Sequence, residues 1–352
     1  MLETETGRSR RVEFELLRIL AMAGVVINHV INYGLDIYGD FRVDTSSPAG
    51  AIAWSLLEIL KLMALPSVNF FILITGYFMI DRTELRLKGI WKVWSTTWFY
   101  AVGIYLLCVF LGIVSFDGKE LLRHATPLLS NSYWFVTSYL ALLLLAPFIS
   151  WALQHTSKRQ YQVALAVGGV ICFQPLLGWL LMDKLQILLF IYLFMIGGYI
   201  RMYADRALSM RQAVLAFVVT FAVMFAYTLY KNERTGCSLF VVHAMSYYGL
   251  VLPLSVAIFY IAKAWRIENG KIRKVILFLA PFSFAVYIIQ TQSIVHNWLW
   301  SESADLLSRS NECVLPLLCI AITVAVFAVC VLVDYVRVSL YRLIKKAVNS
   351  AL

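Results

Sequence analysis

Long runs of apolar residues constrain this chain more than any other feature. One run reads LPLLCIAITVAVFAVCVLV over residues 315–333, and another reads FVVTFAVMFAYTLY over residues 217–230. A helix needs about 20 apolar residues to cross a bilayer, and the first run is nearly that long. Charged residues form 14% of the chain, against roughly a quarter in soluble proteins. Since no β-barrel alternation of apolar and polar residues is present, the sequence predicts an all-α, polytopic transmembrane helical bundle.

The apolar runs predict about ten membrane-spanning helices within a single integral membrane domain, residues 1–352. The second run is longer than one crossing requires, so either Pro66 breaks it or its start lies along the membrane surface. An even number of spans places both termini on the same side. The predicted spans lie near residues 14–35, 51–80, 91–115, 133–153, 161–181, 185–200, 212–230, 239–262, 275–298 and 313–335.

The distribution of Lys and Arg predicts the orientation of these spans. When the connections are grouped alternately, one set carries 22 of the 30 basic residues and the other carries 7, while Lys61 lies within a span. By the positive-inside rule, the richer set and both termini are cytoplasmic. The net charge of +10 then reflects topology and attraction to anionic lipids, and we expect no nucleic-acid partner.

Polar residues inside the first span are the strongest candidates for function. Glu15, Arg18, His29 and Asn32 interrupt an otherwise apolar helix, and helical geometry places them near one face. Arg18 and His29 are roughly 16 Å apart along the axis at 1.5 Å per residue. With Arg18 at the cytoplasmic edge, His29 lies about halfway across the bilayer. Ionisable groups there are costly and usually functional.

Each of these residues also has an ordinary structural explanation. A lone membrane histidine is often hydrogen-bonded to a neighbouring helix, and an arginine at a span end can extend to the lipid headgroups as a topology anchor. The shared face of Glu15, Arg18 and His29 favours function instead. The six cysteines lie at positions 108, 172, 237, 313, 319 and 330, a spacing that predicts no metal site.

Other segments carry weaker signals. The sequence DRTELRLK at 81–88 places Arg82 and Arg86 four residues apart on the cytoplasmic side, where they either grip phosphates or simply set topology. The sequence YWFVTSY at 133–139 contains Trp134 and Tyr139 at the outer surface. Aromatic residues there suit sugar rings, although they also form the usual interfacial belt.

Five short motifs occur in order along the chain. They are VEFELLR at 12–18 followed by His29, FFILITGYFM at 70–79, YWFVTSYLALLLLAPFI at 133–149, LFMIGGYI at 193–200 and SFAVYIIQ at 283–290. In type, spacing and order they resemble the acyltransferase family 3 membrane proteins. In those proteins an Arg and a His with ten residues between them mark the first span, as Arg18 and His29 do here. The resemblance covers nearly the whole chain. One position departs from it, because Gln290 stands where the family commonly has His.

The resemblance implies an O-acyltransferase of the bacterial plasma membrane. It would take an acyl group, with acetyl expected, from cytoplasmic acyl-CoA, and would need no bound cofactor. The acceptor would be a hydroxyl of a cell-surface polysaccharide or its lipid-linked precursor. His29 would act as a base or carry the acyl group as an acyl-imidazole, and Glu15 would hold Arg18. Arg18, Arg82 and Arg86 would bind the CoA phosphates, and Asn32, Trp134, Tyr139 and Gln290 would face the acceptor.

A polytopic transporter or flippase for a glycan or small metabolite is the main alternative. Ten spans and buried charges suit transport as well as catalysis. A transporter of this size commonly shows internal pseudo-symmetry and paired broken helices, and no repeat is visible in this sequence. A non-enzymatic membrane sensor is the third possibility, although no signalling segment accompanies the apolar runs.

Overall fold

The computed structural model describes residues 11–36, 43–130, 132–173, 186–235 and 249–351, and these residues form helices without a strand. The predicted all-α class is therefore confirmed. The α-helices are α1 Val12–His29, α2 Pro48–Ala64, α3 Ser67–Met79, α4 Leu87–Phe110, α5 Gly118–Ala125, α6 Trp134–Gln154, α7 Lys158–Phe173, α8 Gln186–Tyr203, α9 Met210–Thr235, α10 Val251–Ala264, α11 Gly270–Leu279, α12 Ser283–Thr291, α13 Ser293–Ser308 and α14 Leu315–Ala351.

Eight helical segments of the described residues are long and apolar enough to cross a membrane: Val12–Gly34, Pro48–Met79, Leu87–Phe110, Trp134–Gln154, Gln186–Tyr203, Met210–Tyr230, Gly270–Thr291 and Glu312–Ser350. They correspond to eight of the ten predicted spans. The predicted spans 161–181 and 239–262 extend into residues 174–185 and 236–248, which lie outside the described residues. The chain is a multi-pass membrane protein, and the count of ten stays a prediction.

Two helix breaks shape the interior. The long second span divides at Leu65 and Pro66, as expected from a proline that lacks a backbone N–H. The predicted span 275–298 is wrong at its end, because α12 stops at Thr291. Gln292 is extended, and its side chain accepts hydrogen bonds from the backbone N–H groups of Ile294 and Val295. A new helix, α13, therefore begins there.

Four connections meet at one end of the bundle, which we call the basic end. Arg11 donates to the carbonyl of Lys263, and Arg201 forms an ion pair with Asp81. Lys263 pairs with Asp205 at 3.0 Å. These contacts join the start of α1 to the ends of α3, α8 and α10. The sequence assigned all four connections to the cytoplasmic side on their charge alone.

Helices α3 and α8 approach each other closely through small residues. A Cβ atom added to Gly76 would overlap the backbone of Phe194, and one added to Gly197 would overlap the backbone of Leu73. Small residues at such crossings let membrane helices pack backbone to backbone. The contact fixes α3 against α8, and α3 in turn packs against α1. The position of α1 therefore depends on this crossing.

We predict that Gly76→Ala lowers stability by about 1–3 kcal/mol, because the added methyl group forces α3 and α8 apart. Gly103→Ala is the matched control, since Gly103 lies within α4 and a Cβ atom there meets nothing within 4 Å. The thermal unfolding midpoint of purified protein in detergent measures the difference. Equal midpoints for Gly76→Ala and the wild type would contradict the close crossing.

Candidate active site

A cavity opens inside the bundle where α1, α6 and α12 meet the break between α2 and α3. The cavity volume is about 170 Å³, below the roughly 300–1,000 Å³ of typical small-molecule sites. Its polar lining comes mainly from α1 and the turn that follows it. The residues around it are Met22, Val25, Asn28, His29, Asn32, Tyr33, Ala64, Leu65, Ser67, Val68, Phe71, Trp134, Phe135 and Tyr287.

The helix break at Pro66 brings backbone polarity to this cavity. Helix α3 begins at Ser67, and both Ser67 and Val68 line the cavity wall. The start of a helix carries unpaired N–H groups and the positive end of the helix dipole. The last turn of α2, at Ala64 and Leu65, lines the same wall with the negative end of its own dipole. Both ends of the break therefore contribute backbone polarity to the cavity.

His29 is the last residue of α1 and is half-buried in the cavity wall. A five-residue π-helical turn, Val30–Gly34, follows it, and such turns often occur at functional sites. The Nδ1 atom of His29 lies 3.3 Å from Oε1 of Gln290 on α12. When this amide oxygen accepts the hydrogen bond, Nδ1 carries the proton and the lone pair is on Nε2.

Aromatic rings surround the imidazole of His29 on the side away from the basic end. The ring centroids of Tyr33 and Trp300 lie 5.6 and 6.0 Å from that of His29. His296 packs edge-on against Tyr33 at 4.8 Å. Trp300 is buried, whereas Tyr33 is exposed. These contacts restrict the rotation of the imidazole and keep it at the cavity wall.

A buried lysine lies behind the cavity. Lys61 of α2 is 1% exposed, and its ammonium donates hydrogen bonds to Oδ1 of both Asn28 and Asn32. Glu58, one turn earlier on α2, is fully buried as well. Charged side chains are almost never fully buried without compensation. The arrangement therefore ties α2 to the polar residues on either side of His29.

The predicted pairing of Glu15 with Arg18 is present, with a distance of 2.8 Å between the carboxylate and guanidinium groups. Arg18 lies about 16 Å and Glu15 about 21 Å along the helix from His29, and neither lines the cavity. Arg86 is exposed at the start of α4, and Arg82 is partly buried in the same connection. The structure thus separates the predicted phosphate ligands from the cavity.

The residues predicted to face the acceptor occupy three different places. Asn32 and Trp134 line the cavity. The hydroxyl of Tyr139 instead lies 3.1 Å from that of Thr75, and its ring stacks on Phe135. Gln290 is fully buried behind His29. Tyr139 and Gln290 therefore support the cavity wall, while Asn32 and Trp134 form part of it.

Sequence reasoning missed several members of this site. It did not consider Asn28, and it noted Lys61 only as a basic residue within a span. Asn28 lies one helical turn before Asn32 and next to His29, so the spacing alone could have added it to the polar face. Nothing in the sequence indicated that Lys61 would contact both amides, because that contact joins two different helices.

Comparison with protein families gives one match that spans nearly the whole chain. The family described as an acyltransferase domain, acyltransferase family 3, matches residues 11–335. Comparisons with curated proteins and with solved structures found no significant match. Among the described residues, no group of three or more His, Cys, Asp or Glu side chains lies close enough to hold a metal ion.

We predict that Gln290→Met lowers the rate of acyl transfer about tenfold, because methionine has a similar length but cannot accept the hydrogen bond from Nδ1 of His29. Gln290→His is the matched variant, since a ring nitrogen can accept that bond. Initial rates at saturating donor measure both. A Gln290→Met enzyme as active as the wild type would show that this contact does not orient the imidazole.

Proposed function

Because the chain belongs to acyltransferase family 3, we propose that this acyl-transferring membrane enzyme moves an acetyl group from cytoplasmic acetyl-CoA to a hydroxyl of a cell-surface polysaccharide or its lipid-linked precursor. The observation that carries the proposal is the half-buried His29 in an internal cavity, with Nδ1 against Gln290. We place the protein in the plasma membrane of a bacterium, where such glycans are assembled.

The chemistry requires one proton acceptor within the cavity. Nε2 of His29 takes the proton of the acceptor hydroxyl as the oxygen attacks the thioester carbonyl carbon. A C–O bond forms, the C–S bond breaks, and His29 returns the proton to the departing thiolate, so that CoA leaves as the thiol. In the alternative route Nε2 attacks the carbonyl carbon, the C–S bond breaks and CoA departs as the thiolate, leaving an acyl-imidazole. The acceptor hydroxyl oxygen then attacks the acyl carbon, the C–N bond breaks, and the hydroxyl proton neutralises the thiolate. Both routes need the tautomer that Gln290 favours.

The donor would enter from the basic end. The 3′-phosphate and pyrophosphate of CoA are anionic, and arginine binds such groups through paired hydrogen bonds. Arg86 is exposed at the first turn of α4, where the helix dipole also favours an anion. Arg18 is one-third exposed and already paired with Glu15. The pantetheine arm would then extend along α1 toward His29.

The acceptor would enter from the opposite end of the cavity. Trp134, Phe135 and Tyr287 line the cavity. Aromatic rings provide flat apolar surfaces that suit the faces of sugar rings, while the amides of Asn28 and Asn32 are polar groups near His29. A hydroxyl of the acceptor and the thioester of the donor would therefore meet at His29 from two sides.

We predict that His29→Ala lowers acetylation of the host glycan by about 10²- to 10⁴-fold, the usual contribution of a general base. Mass spectrometry of surface glycans from a gene-deleted host, complemented with wild type or variant at equal expression, measures the acetyl mass difference. His155→Ala is the matched control, because His155 is exposed at the end of α6. Full acetylation by His29→Ala would exclude this function, whereas transport of the glycan without acyl-CoA would support a flippase.

We predict that Arg86→Ala weakens the binding of acetyl-CoA about three- to tenfold, and that the loss shrinks at high salt because exposed charges are screened. Isothermal titration of acetyl-CoA into purified full-length protein measures the change. Arg309→Ala is the control, since Arg309 is an exposed arginine at the end of α13 that pairs with Asp305. Unchanged affinity for Arg86→Ala would remove Arg86 from the donor site.

A further inference from the structure

The orientation of two amide side chains is set by Lys61. A lysine ammonium has three N–H donors and no acceptor, so the atom that each amide turns toward it is the oxygen. Both Asn28 and Asn32 direct Oδ1 to this one Nζ atom. Lys61 therefore identifies which atom of each amide group is the oxygen and which is the nitrogen.

The nitrogen ends of these amides belong to the cavity. Asn28 and Asn32 line it on either side of His29, and Lys61 behind them is almost fully buried. Within the described part of the chain, neither Nδ2 atom donates to a protein acceptor. With both oxygens engaged by Lys61, each amide keeps two N–H donors for a bound molecule. Two such donors close to one imidazole resemble no ordinary packing motif.

We propose that Lys61 is a positioning residue that holds the amides of Asn28 and Asn32 as a pair of hydrogen-bond donors for the thioester carbonyl oxygen of the acyl donor. This proposal rests on the proposed function, because it assigns a task within the same acyl transfer. When the hydroxyl oxygen of the acceptor attacks the carbonyl carbon, the C=O π electrons move onto the carbonyl oxygen. When the C–S bond breaks, they return and restore the C=O bond.

The buried charge favours this task over binding of a neutral hydroxyl. The buried carboxylate of Glu58 offsets part of the charge of Lys61, but the hydrogen bonds from the ammonium still polarise both amides toward the cavity. Their N–H donors then stabilise an oxygen that gains negative charge. In a water-poor site such donors need no reorganisation during the reaction.

A purely structural role for this contact predicts a different outcome for one substitution. In Asn32→Asp the carboxylate keeps an oxygen for Lys61, so the contact between α1 and α2 is retained and its charges become complementary. The other oxygen replaces the NH2 group, so a donor facing the cavity becomes an acceptor. Structural packing alone therefore predicts retained activity, whereas our proposal predicts loss.

The test uses acetyl-CoA labelled with ¹³C at the thioester carbonyl, bound to the purified full-length protein, and records the infrared stretching frequency of that carbonyl. We expect a shift to lower frequency in the wild type, a smaller shift in Asn32→Asp, in which Asn28 is the remaining donor, and loss of the shift in Lys61→Met, in which neither amide is held. The rate of acetyl transfer in host membrane vesicles should fall about 10²-fold. The half-saturating concentration of acetyl-CoA should stay within about twofold, because the donors act on the transition state.

The matched control is Asn311→Asp. Asn311 accepts a hydrogen bond from the backbone N–H of Cys313 outside the cavity, and aspartate preserves that cap. The thermal midpoint shows that each variant is folded, and Asn32→Asp carries the test if Lys61→Met does not fold. A wild-type frequency shift that persists in a folded Asn32→Asp enzyme overturns the donor pair but leaves the acyltransferase intact. A wild type that neither binds nor consumes acetyl-CoA overturns the proposed function, and the donor pair with it.

Discussion

The hydrocarbon core of a bilayer offers no water to polar groups, so every buried polar side chain must find its partner within the protein. This constraint explains the environment of α1. Its polar residues turn inward, where Gln290 contacts His29 and Lys61 contacts Asn28 and Asn32. The contact of His29 joins α1 to α12, and those of Asn28 and Asn32 join α1 and the turn that follows it to α2. Satisfying the polar groups of one helix therefore also assembles the wall of the cavity.

The breaks in α2–α3 and α12–α13 have a related consequence. A continuous membrane helix hides its backbone N–H groups, but a break exposes the first turn of the next helix. The break at Pro66 places the start of α3 at the cavity, and the one at Gln292 ends α12 just beyond Gln290. The tight crossing of α3 with α8 at Gly76 holds the first of these positions. Irregular backbone at membrane depth is tolerated where it is buried in protein or lines a cavity.

The residue at position 290 changes how the site should be understood. A histidine there could exchange a proton, whereas glutamine can only donate or accept a hydrogen bond. In this protein the amide oxygen of Gln290 faces Nδ1 of His29, which is the task of orienting an imidazole rather than sharing its proton. His29 is then the single imidazole among the described residues that line the cavity, and no carboxylate or amine lines it beside His29.

The sequence by itself determined the membrane class and most of the spans, and it singled out His29 as a candidate for function. The thickness of the bilayer sets the length of the apolar runs, and the distribution of Lys and Arg indicates their orientation. A histidine within an apolar helix stands out because its burial is costly. It also predicted the Glu15–Arg18 pair, since both residues lie on one helix. Only the tertiary structure placed Lys61 against two asparagines and Gln290 against His29. Those contacts join residues 29 to 261 positions apart, and helical periodicity carries no information about which helices become neighbours.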